Sequence, residues 1–390
     1  MVSGRQVETG EGPIRYGMVG GGQGAFIGGV HRIAARMDGE FRLVAGALSS
    51  DPARAHASAA ELGIDPERSY GSFQEMADAE SSRSDGIEAV AIVTPNHMHF
   101  APAKAFLEAG IHVICDKPLT SSLADAKKLA AIVEQSGKVF VLTHNYTGYP
   151  MIRQAREMVA KGQLGKIRVV QAEYPQDWLT TNIEISGQKQ AAWRTDPKRS
   201  GVGGSTGDIG THAYNLTRFV TGLELDSLAA DLDSFVEGRQ LDDNANVLLR
   251  FKGGAKGMIW ASQVAPGNEN GLKLRVYGEK GGLEWTQADP NYLWHTPFGE
   301  PKRLLTRAGA GALPVAARVT RVPSGHPEGY LEGFANIYQE AARAIRAARK
   351  KGGKLPKDVT FPTVQDGVEG VAFVEACAKS SKKNGAWTKL

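Results

Sequence analysis

The sequence predicts an α/β protein, with a doubly wound parallel sheet in the first 150 residues and then an α+β domain built on an open, largely antiparallel sheet. Three observations carry this. Short apolar, β-prone runs alternate with helical periodicity through the first half; a glycine-rich loop joins the first strand to the first helix; and from about residue 165 longer runs of alternating apolar residues take over. A chain of 390 residues also exceeds one ordinary domain. The expected division is a loose tail over 1–13, a first domain over 14–150 and a second over 151–390.

Residues 14–19 read as the first strand, and Gly20-Gly21-Gly22-Gln23-Gly24-Ala25-Phe26-Ile27-Gly28 carries the chain into a helix ending at Met37. In that context glycines let backbone approach a pyrophosphate, whose charge meets a helix N-terminus. Gly20, Gly22, Gly24, Ala25, Phe26 and Ile27 are therefore the expected phosphate contacts of a dinucleotide. The interval from Gly20 to Gly28 is three residues longer than Gly-x-Gly-x-x-Gly, so the loop must bulge before the helix begins.

The second strand, 41–48, ends in Ser49-Ser50-Asp51, with Arg54 one turn into a helix at 52–63. An acid there accepts from a ribose 2′-hydroxyl, whereas hydroxyls and a cation suit a 2′-phosphate. Ser49, Ser50 and Arg54 thus favour NADP slightly over NAD. Asp51 also reads as the cap of that helix, with Pro52 at its first position. After a helix at 72–79, a third strand (88–93) ends in Thr94-Pro95-Asn96-His97-Met98-His99 before a helix at 98–109. Thr94, Pro95 and Asn96 are expected at the cofactor ribose, with His99 packing beneath. A metal at His97 and His99 is not expected, since no carboxylate or thiolate accompanies them.

The stretch Ile111-His112-Val113-Ile114-Cys115-Asp116-Lys117-Pro118 places an acid, a base and a proline where a buried strand ends. Ligands of open α/β sheets bind beyond the carboxyl ends of the strands, and the proline fixes φ beside Lys117. A surface turn with a solvated lysine is the competing reading. A helix (122–136) and a strand (139–142) lead to His144-Asn145-Tyr146-Thr147-Gly148-Tyr149-Pro150, polar and aromatic groups placed to line a pocket, and a helix at 151–161 closes this half.

In the second half, 166–174, 245–251, 256–264 and 272–277 read as strands of an antiparallel sheet. Trp193 and Arg194 precede Gly201-Val202-Gly203-Gly204-Ser205-Thr206-Gly207, which lacks the Gly-Lys-Ser/Thr ending of a phosphate loop. If Asp208 begins a helix, His212 projects from the same face one turn on, and Asn215 joins them. A carboxylate beside an imidazole can set its tautomer and working pKa. An N-cap and a half-buried filler explain the pair equally well. Residues 278–330, rich in Gly and Pro, read as loops, with His326 on a possible pocket rim; helices at 330–350 and 364–380 end the chain.

Composition bounds the function. With 42% hydrophobic residues the chain is globular, and no apolar run is long enough to span a membrane. The polar N-terminus and only two cysteines, Cys115 and Cys377, suggest a cytoplasmic protein in a reducing compartment. The net charge of +4 is spread along the chain; Arg349, Lys350, Lys351 and Lys354 complete a helix C-terminus, and without aromatic platforms they do not predict nucleic-acid binding.

Taken together, the glycine loop ending Ile27-Gly28-Gly29-Val30-His31, Thr94-Pro95-Asn96-His97-Met98-His99, Asp116-Lys117-Pro118 and Gly207-Asp208-Ile209-Gly210-Thr211-His212 resemble the Gfo/Idh/MocA family of pyridine-nucleotide oxidoreductases over nearly the whole chain. The resemblance implies an N-terminal Rossmann domain and a C-terminal domain whose open sheet builds a homodimer or homotetramer interface. It implies that Lys117 and His212 serve proton transfer, that Asp208 positions substrate and imidazole, and that Trp193 and Arg194 lie near substrate. Asp116 departs from the family's more usual Glu. The expected reaction is reversible oxidation of a secondary alcohol of a sugar, polyol or inositol, with Asn145, Tyr146, Trp193, Arg194, Asp208, His212, Lys117 and His326 around the substrate and Asp116 and Lys117 touching the cofactor. An NAD-dependent glycosidase using transient oxidation and a non-catalytic dinucleotide-binding regulator are the alternatives.

Overall fold

The computed structural model describes residues 12–350 and 353–390. The expected tail therefore lies almost wholly outside the described residues, as does Lys351. The first domain runs β1 (Ile14–Gly20), α1 (Phe26–Met37), β2 (Phe41–Ala47), α2 (Pro52–Glu61), α3 (Phe73–Ser82), β3 (Ala89–Val93), α4 (Phe100–Glu108), β4 (His112–Cys115), α5 (Leu123–Ser136) and β5 (Phe140–Leu142). Its five strands pair in the order β2-β1-β3-β4-β5, all parallel. All five residues of central β3, Ala-Val-Ala-Ile-Val, are buried, as a strand covered by helices on both faces requires. The order reverses at β1, so the carboxyl ends of β1 and β3 flank a crevice.

The second domain runs α6 (Pro150–Ala160), β6 (Ile167–Pro175), α7 (Lys189–Arg194), α8 (Pro197–Ser200), α9 (Thr211–Thr221), β7 (Leu225–Asp233), β8 (Asn244–Phe251), β9 (Lys256–Ser262), β10 (Lys273–Gly278), β11 (Gly281–Thr286), β12 (Tyr292–Pro297), β13 (Arg303–Thr306) and α10 (Pro314–Ala317), and the chain ends in α11 (Tyr330–Arg349), α12 (Val364–Ser381) and β14 (Thr388–Lys389). Nine strands form one sheet in the order β13-β12-β11-β10-β6-β9-β8-β7-β14, in which β6–β9 is the parallel pair. Period-two burial in β8, where Val247, Leu249 and Phe251 point inward and Asn246, Leu248 and Arg250 outward, leaves one face of the sheet to the helices and the other to solvent. Side chains of α6, α9 and α12 fill the inner face.

Two features depart from the sequence reading. Residues 278–330 are not only loops, since β11, β12 and β13 lie within them; these are short strands punctuated by glycine and proline near the sheet edge, where periodicity is weak. The chain also does not stay in the second domain after residue 151. Helix α11 returns to the first, burying Phe334, Ile337, Tyr338, Ala341 and Ile345 in one cluster with Ile14, Tyr16 and Val30. Each large apolar side chain so buried is worth about 1.5–3 kcal/mol, which fastens this helix to α1. Helix α12 bridges both halves, with Val368 and Val371 in the first domain's core and Phe373 and Cys377 in the second's. No helix among the described residues is long and apolar enough to cross a membrane.

Candidate active site

The glycine loop is shaped by close approach. Gly20, Gly21 and Gly24 have φ of 77°, 72° and 75°, a region that side chains disfavour. A Cβ on Gly28 would stand 2.4 Å from Gly21 Cα, so α1 can cross β1 only with glycine at both places. The helix begins at Phe26, which puts Ile27 and Gly28 in its first turn rather than in a longer bulge; the extra residues form a turn closed by Ala25 N–H on the Gly22 carbonyl at 3.0 Å. Arg32 donates to the Gly21 carbonyl at 2.6 Å, and Ser58 Oγ accepts from Gln23 N–H at 3.1 Å. Ala25 offers no side-chain cap to α1, so the first-turn N–H groups have no capping acceptor and suit an anionic phosphate. An open cavity of about 540 Å³ lies against this loop, lined by Gly22, Gln23, Phe26, Arg32, Ser58 and Glu61.

At the β2 edge Asp51 caps α2, accepting from Arg54 N–H at 2.9 Å, and Ser49 Oγ accepts from Asp51 N–H at 3.1 Å. Ser50 and the Arg54 side chain are exposed there. At the β3 edge the polar run is divided. Thr94 Oγ1 donates to the Met98 carbonyl at 2.9 Å, and Pro95 caps the turn that follows. Buried Asn96 reaches across the domains to the Ser200 carbonyl at 3.4 Å. His99 is fully buried, with Nδ1 2.7 Å from the Pro118 carbonyl and Nε2 2.8 Å from the Thr94 carbonyl, so it ties the ends of β3 and β4 together beneath the crevice instead of facing it. No group of three or more His, Cys, Asp or Glu placed to hold a metal ion occurs among the described residues.

The two domains meet at Lys117. Its Nζ donates to Asp208 Oδ1 at 2.9 Å and to the Asp208 carbonyl at 2.5 Å, joining the β4 edge to a segment 91 positions away. Asp116 accepts from Lys117 N–H at 2.8 Å and from Thr143 Oγ1 at 3.1 Å, which orients the turn. Asp208 lies not at the start of a helix but in a π turn, Thr206–Gly210, that widens the chain just before α9. The preceding glycine run, Gly201–Gly207, closes on a carboxylate of the protein itself. Asp242 accepts from Gly204 N–H, Ser205 Oγ, Thr206 N–H and Thr206 Oγ1, all within 2.7 Å. That clamp fixes the turn and so the direction of Asp208.

Asp208 Oδ2 also accepts from Arg194 Nε at 3.2 Å and Gln263 Nε2 at 2.9 Å. Burial pushes its carboxyl up, but Lys117 and Arg194 outweigh burial and hold it well below the usual carboxylate range. His212, on α9, is buried, and its pKa is lowered well below the ordinary value by burial first and by Lys117 and His144 next, against Asp208. Those surroundings favour its neutral form, in which one ring nitrogen carries a lone pair. Tyr146 packs edge-on against His212 with centroids 4.8 Å apart, and its hydroxyl meets that of Tyr174 at 2.5 Å; Tyr174 in turn donates to Asn270 at 2.7 Å. Asn145 is buried, and its Nδ2 finds no partner among the described residues, a free donor of the kind a hydroxylated ligand would engage. The Arg194 guanidinium lies 4.2 Å over the Trp193 ring. His326 is exposed in its loop, linked through its carbonyl to Arg307 and not drawn into this cluster.

Lys117, Asp208 and His212 thus come together, with Arg194, Tyr146, Asn145 and Trp193 around them. The sequence reading overlooked Gln263, just past β9, and Tyr174, and placed His144 in a pocket-lining stretch without giving it a role. Gln263 stands at a strand end, the signal used for Lys117, but in an antiparallel sheet that signal is not special. The glycine cradle, the uncapped α1 N-terminus and the crevice between β1 and β3 fit a nicotinamide dinucleotide.

Two family models match in succession: residues 14–146 match the oxidoreductase family with an NAD-binding Rossmann fold, and residues 152–284 match the GFO/IDH/MocA C-terminal domain. An uncharacterized oxidoreductase of Bacillus subtilis is 36% identical over 97% of both chains. Among solved structures, an oxidoreductase from Sinorhizobium meliloti is 66% identical, with TM-score 0.89 over 97% of this chain and 100% of the other. An inositol dehydrogenase homolog from Azotobacter vinelandii, complexed with NADH and myo-inositol, is 38% identical, with TM-score 0.91 over 97% and 98% of the two chains. On the two matched domains and the full-length relative, the chain belongs to the Gfo/Idh/MocA family and is an NAD(P)-dependent oxidoreductase.

Proposed function

We propose that the enzyme oxidises, reversibly, a secondary alcohol of an inositol or a cyclic sugar. The observation that carries this reading is the meeting of Lys117 from the first domain with Asp208 and His212 from the second. A bound nicotinamide supplies the hydride acceptor. The hydroxyl proton of the same carbinol passes to neutral His212, leaving a carbonyl. Lys117, held by Asp208, sets a positive charge where the oxygen becomes alkoxide-like, the kind of fixed electrostatic contact that lowers such a barrier. The free Asn145 donor, Arg194 and the tyrosine pair suit a ring carrying several hydroxyls, and the Azotobacter relative, full-length and 38% identical, was solved with myo-inositol.

For the cofactor, Ser49 and Arg54 favour NADP, whereas the same relative holds NADH. We infer NAD as the better partner, because that full-length relative, 38% identical, was solved with NADH. For assembly, we propose that copies pair through the open sheet face. There Leu248 (53% exposed) stands opposite Met258 (43%), and Gln171, Arg275 and Glu284 continue the row to Trp294 (40%).

The test is a panel of inositols, sugars and glycosides assayed with NAD and NADP separately, following formation of reduced nicotinamide. Net cofactor reduction with a cyclic polyol, faster with NAD, supports the reading. Release of sugar from a glycoside with no net reduction would replace it with the glycosidase.

A further inference from the structure

His144 follows β5 and is fully enclosed, and its Nδ1 stands 3.4 Å from Nδ1 of His212, with the two rings nearly perpendicular and centroids 5.2 Å apart. Two neutral imidazoles facing each other through the same kind of nitrogen have two cooperative arrangements, in which one Nδ1 carries the proton and the other receives it, in either direction. Any other tautomer set places two lone pairs, or two hydrogens, against each other. This contact is long for a hydrogen bond, as catalytic contacts often are before substrate is bound.

We propose that His144 is the positioning residue of the reaction: its Nδ1 accepts from Nδ1–H of His212, and this fixes His212 as the tautomer whose Nε2 lone pair is free to take the substrate proton. The inference rests on the dehydrogenase reading for the direction of the bond and the use of that lone pair, and on geometry for the contact between the two Nδ1 atoms. Had the proton lain on His144 Nδ1, His212 would carry its own on Nε2 and could not act as a base there. When His212 takes the hydroxyl proton at Nε2, its positive charge is shared through Nδ1–H with the His144 ring.

The surroundings favour a neutral pair at rest. Lys117 faces both rings as a cation, Asp208 faces His212 as an anion, Tyr146 packs edge-on against His212 and Tyr174 lies tilted beside it. Burial first and Lys117 second push the His144 pKa down to about 3, so it stays an acceptor throughout the neutral range. The role that a carboxylate fills behind many catalytic histidines is here filled by an uncharged ring, which orients the base without raising its basicity as strongly. Asp208 is engaged with Lys117, Arg194 and Gln263, so its carboxylate oxygens are already taken by other donors.

The experiment is long-range ¹H–¹⁵N NMR of the full-length protein labelled with ¹⁵N-histidine, which reports the tautomer of each ring whether or not a substrate has been found. Wild type should show His212 protonated at Nδ1 and His144 at Nε2, with neither titrating between about pH 6 and 8. His144→Phe keeps the ring shape and removes both nitrogens; His212 should then become a tautomer mixture. His144→Asn restores an acceptor near the Nδ1 position and should return it to Nδ1–H. With an active substrate, kcat should fall about 10- to 100-fold in His144→Phe with cofactor Kd unchanged, and recover partly in His144→Asn. A wild-type His212 protonated at Nε2, or a His212 signal indifferent to both substitutions, overturns the proposal. Absence of activity on every polyol, with the tautomers as stated, would instead count against the substrate reading.

Discussion

Replacing Asp208 with Asn removes the negative charge that pairs with both Lys117 and Arg194 while keeping nearly the same volume. The carboxylate sits 2.9 Å from Lys117 Nζ and 3.2 Å from Arg194 Nε, with side-chain exposures of 15% for Asp208 and Lys117 and 24% for Arg194. Breaking a buried pair by removing one partner costs about 3–5 kcal/mol; because these groups keep some contact with solvent, about 3 kcal/mol is the better figure. The sign of the pH dependence follows from the depressed carboxyl. Its ionised form is favoured by folding, so the stabilisation is complete above the unfolded value of about 4 and is lost as pH falls through the lower folded value. Urea unfolding of wild type and Asp208→Asn should therefore show the variant less stable by about 3 kcal/mol at pH 7, with the gap narrowing below about pH 4. A gap that is absent at pH 7, or that widens as the solution is acidified, refutes this account of the charge cluster.

Three further outcomes follow from other parts of the molecule. Gly28→Ala forces α1 away from Gly21, where the added Cβ would stand 2.4 Å from Cα; NAD affinity measured by calorimetry should fall at least about tenfold, with a stability loss of about 1–3 kcal/mol. Asp242→Ala leaves four buried donors without their acceptor, so the π turn should loosen and kcat should fall while NAD affinity, read on the other domain, holds; loss of both together would contradict the assignment. If copies pair through the open sheet as proposed, sedimentation should show wild type as an oligomer and Leu248→Glu, on the outward sheet face, as a monomer with unaltered far-ultraviolet circular dichroism.

Much of the first domain was legible because its signals are local. A fully apolar strand, a glycine loop and a capped helix each announce themselves within ten residues, and strand ends mark the crevice without further knowledge. The partnership of Lys117 with Asp208 and His212 came only from the family resemblance, since the residues alone left a solvated lysine and a plain helix cap equally open; the structure brings Lys117 onto Asp208. What escaped depends on distance along the chain. Nothing local tells that Tyr338 hydrogen-bonds His31 at 2.8 Å and draws α11 back to the first domain, 307 residues later. The glycine run before Asp208 could be rejected as a phosphate loop from its missing Gly-Lys-Ser/Thr ending, but nothing local told of its partner, Asp242, 36 to 38 positions further on. The His144–His212 pair likewise spans 68 positions, and its meaning lies in which ring nitrogens face each other, which no sequence pattern carries.

The most direct measurement of the central claim compares wild type with Lys117→Met in formation of reduced nicotinamide from a saturating cyclic polyol, alongside the dissociation constant for NAD. With Lys117 joined to Asp208 above the strand end, kcat should fall by about a thousandfold or more while NAD binds as before. A variant that turns over at the wild-type rate would remove the amine from the chemistry, and the convergence of the two domains on it would then be structural only.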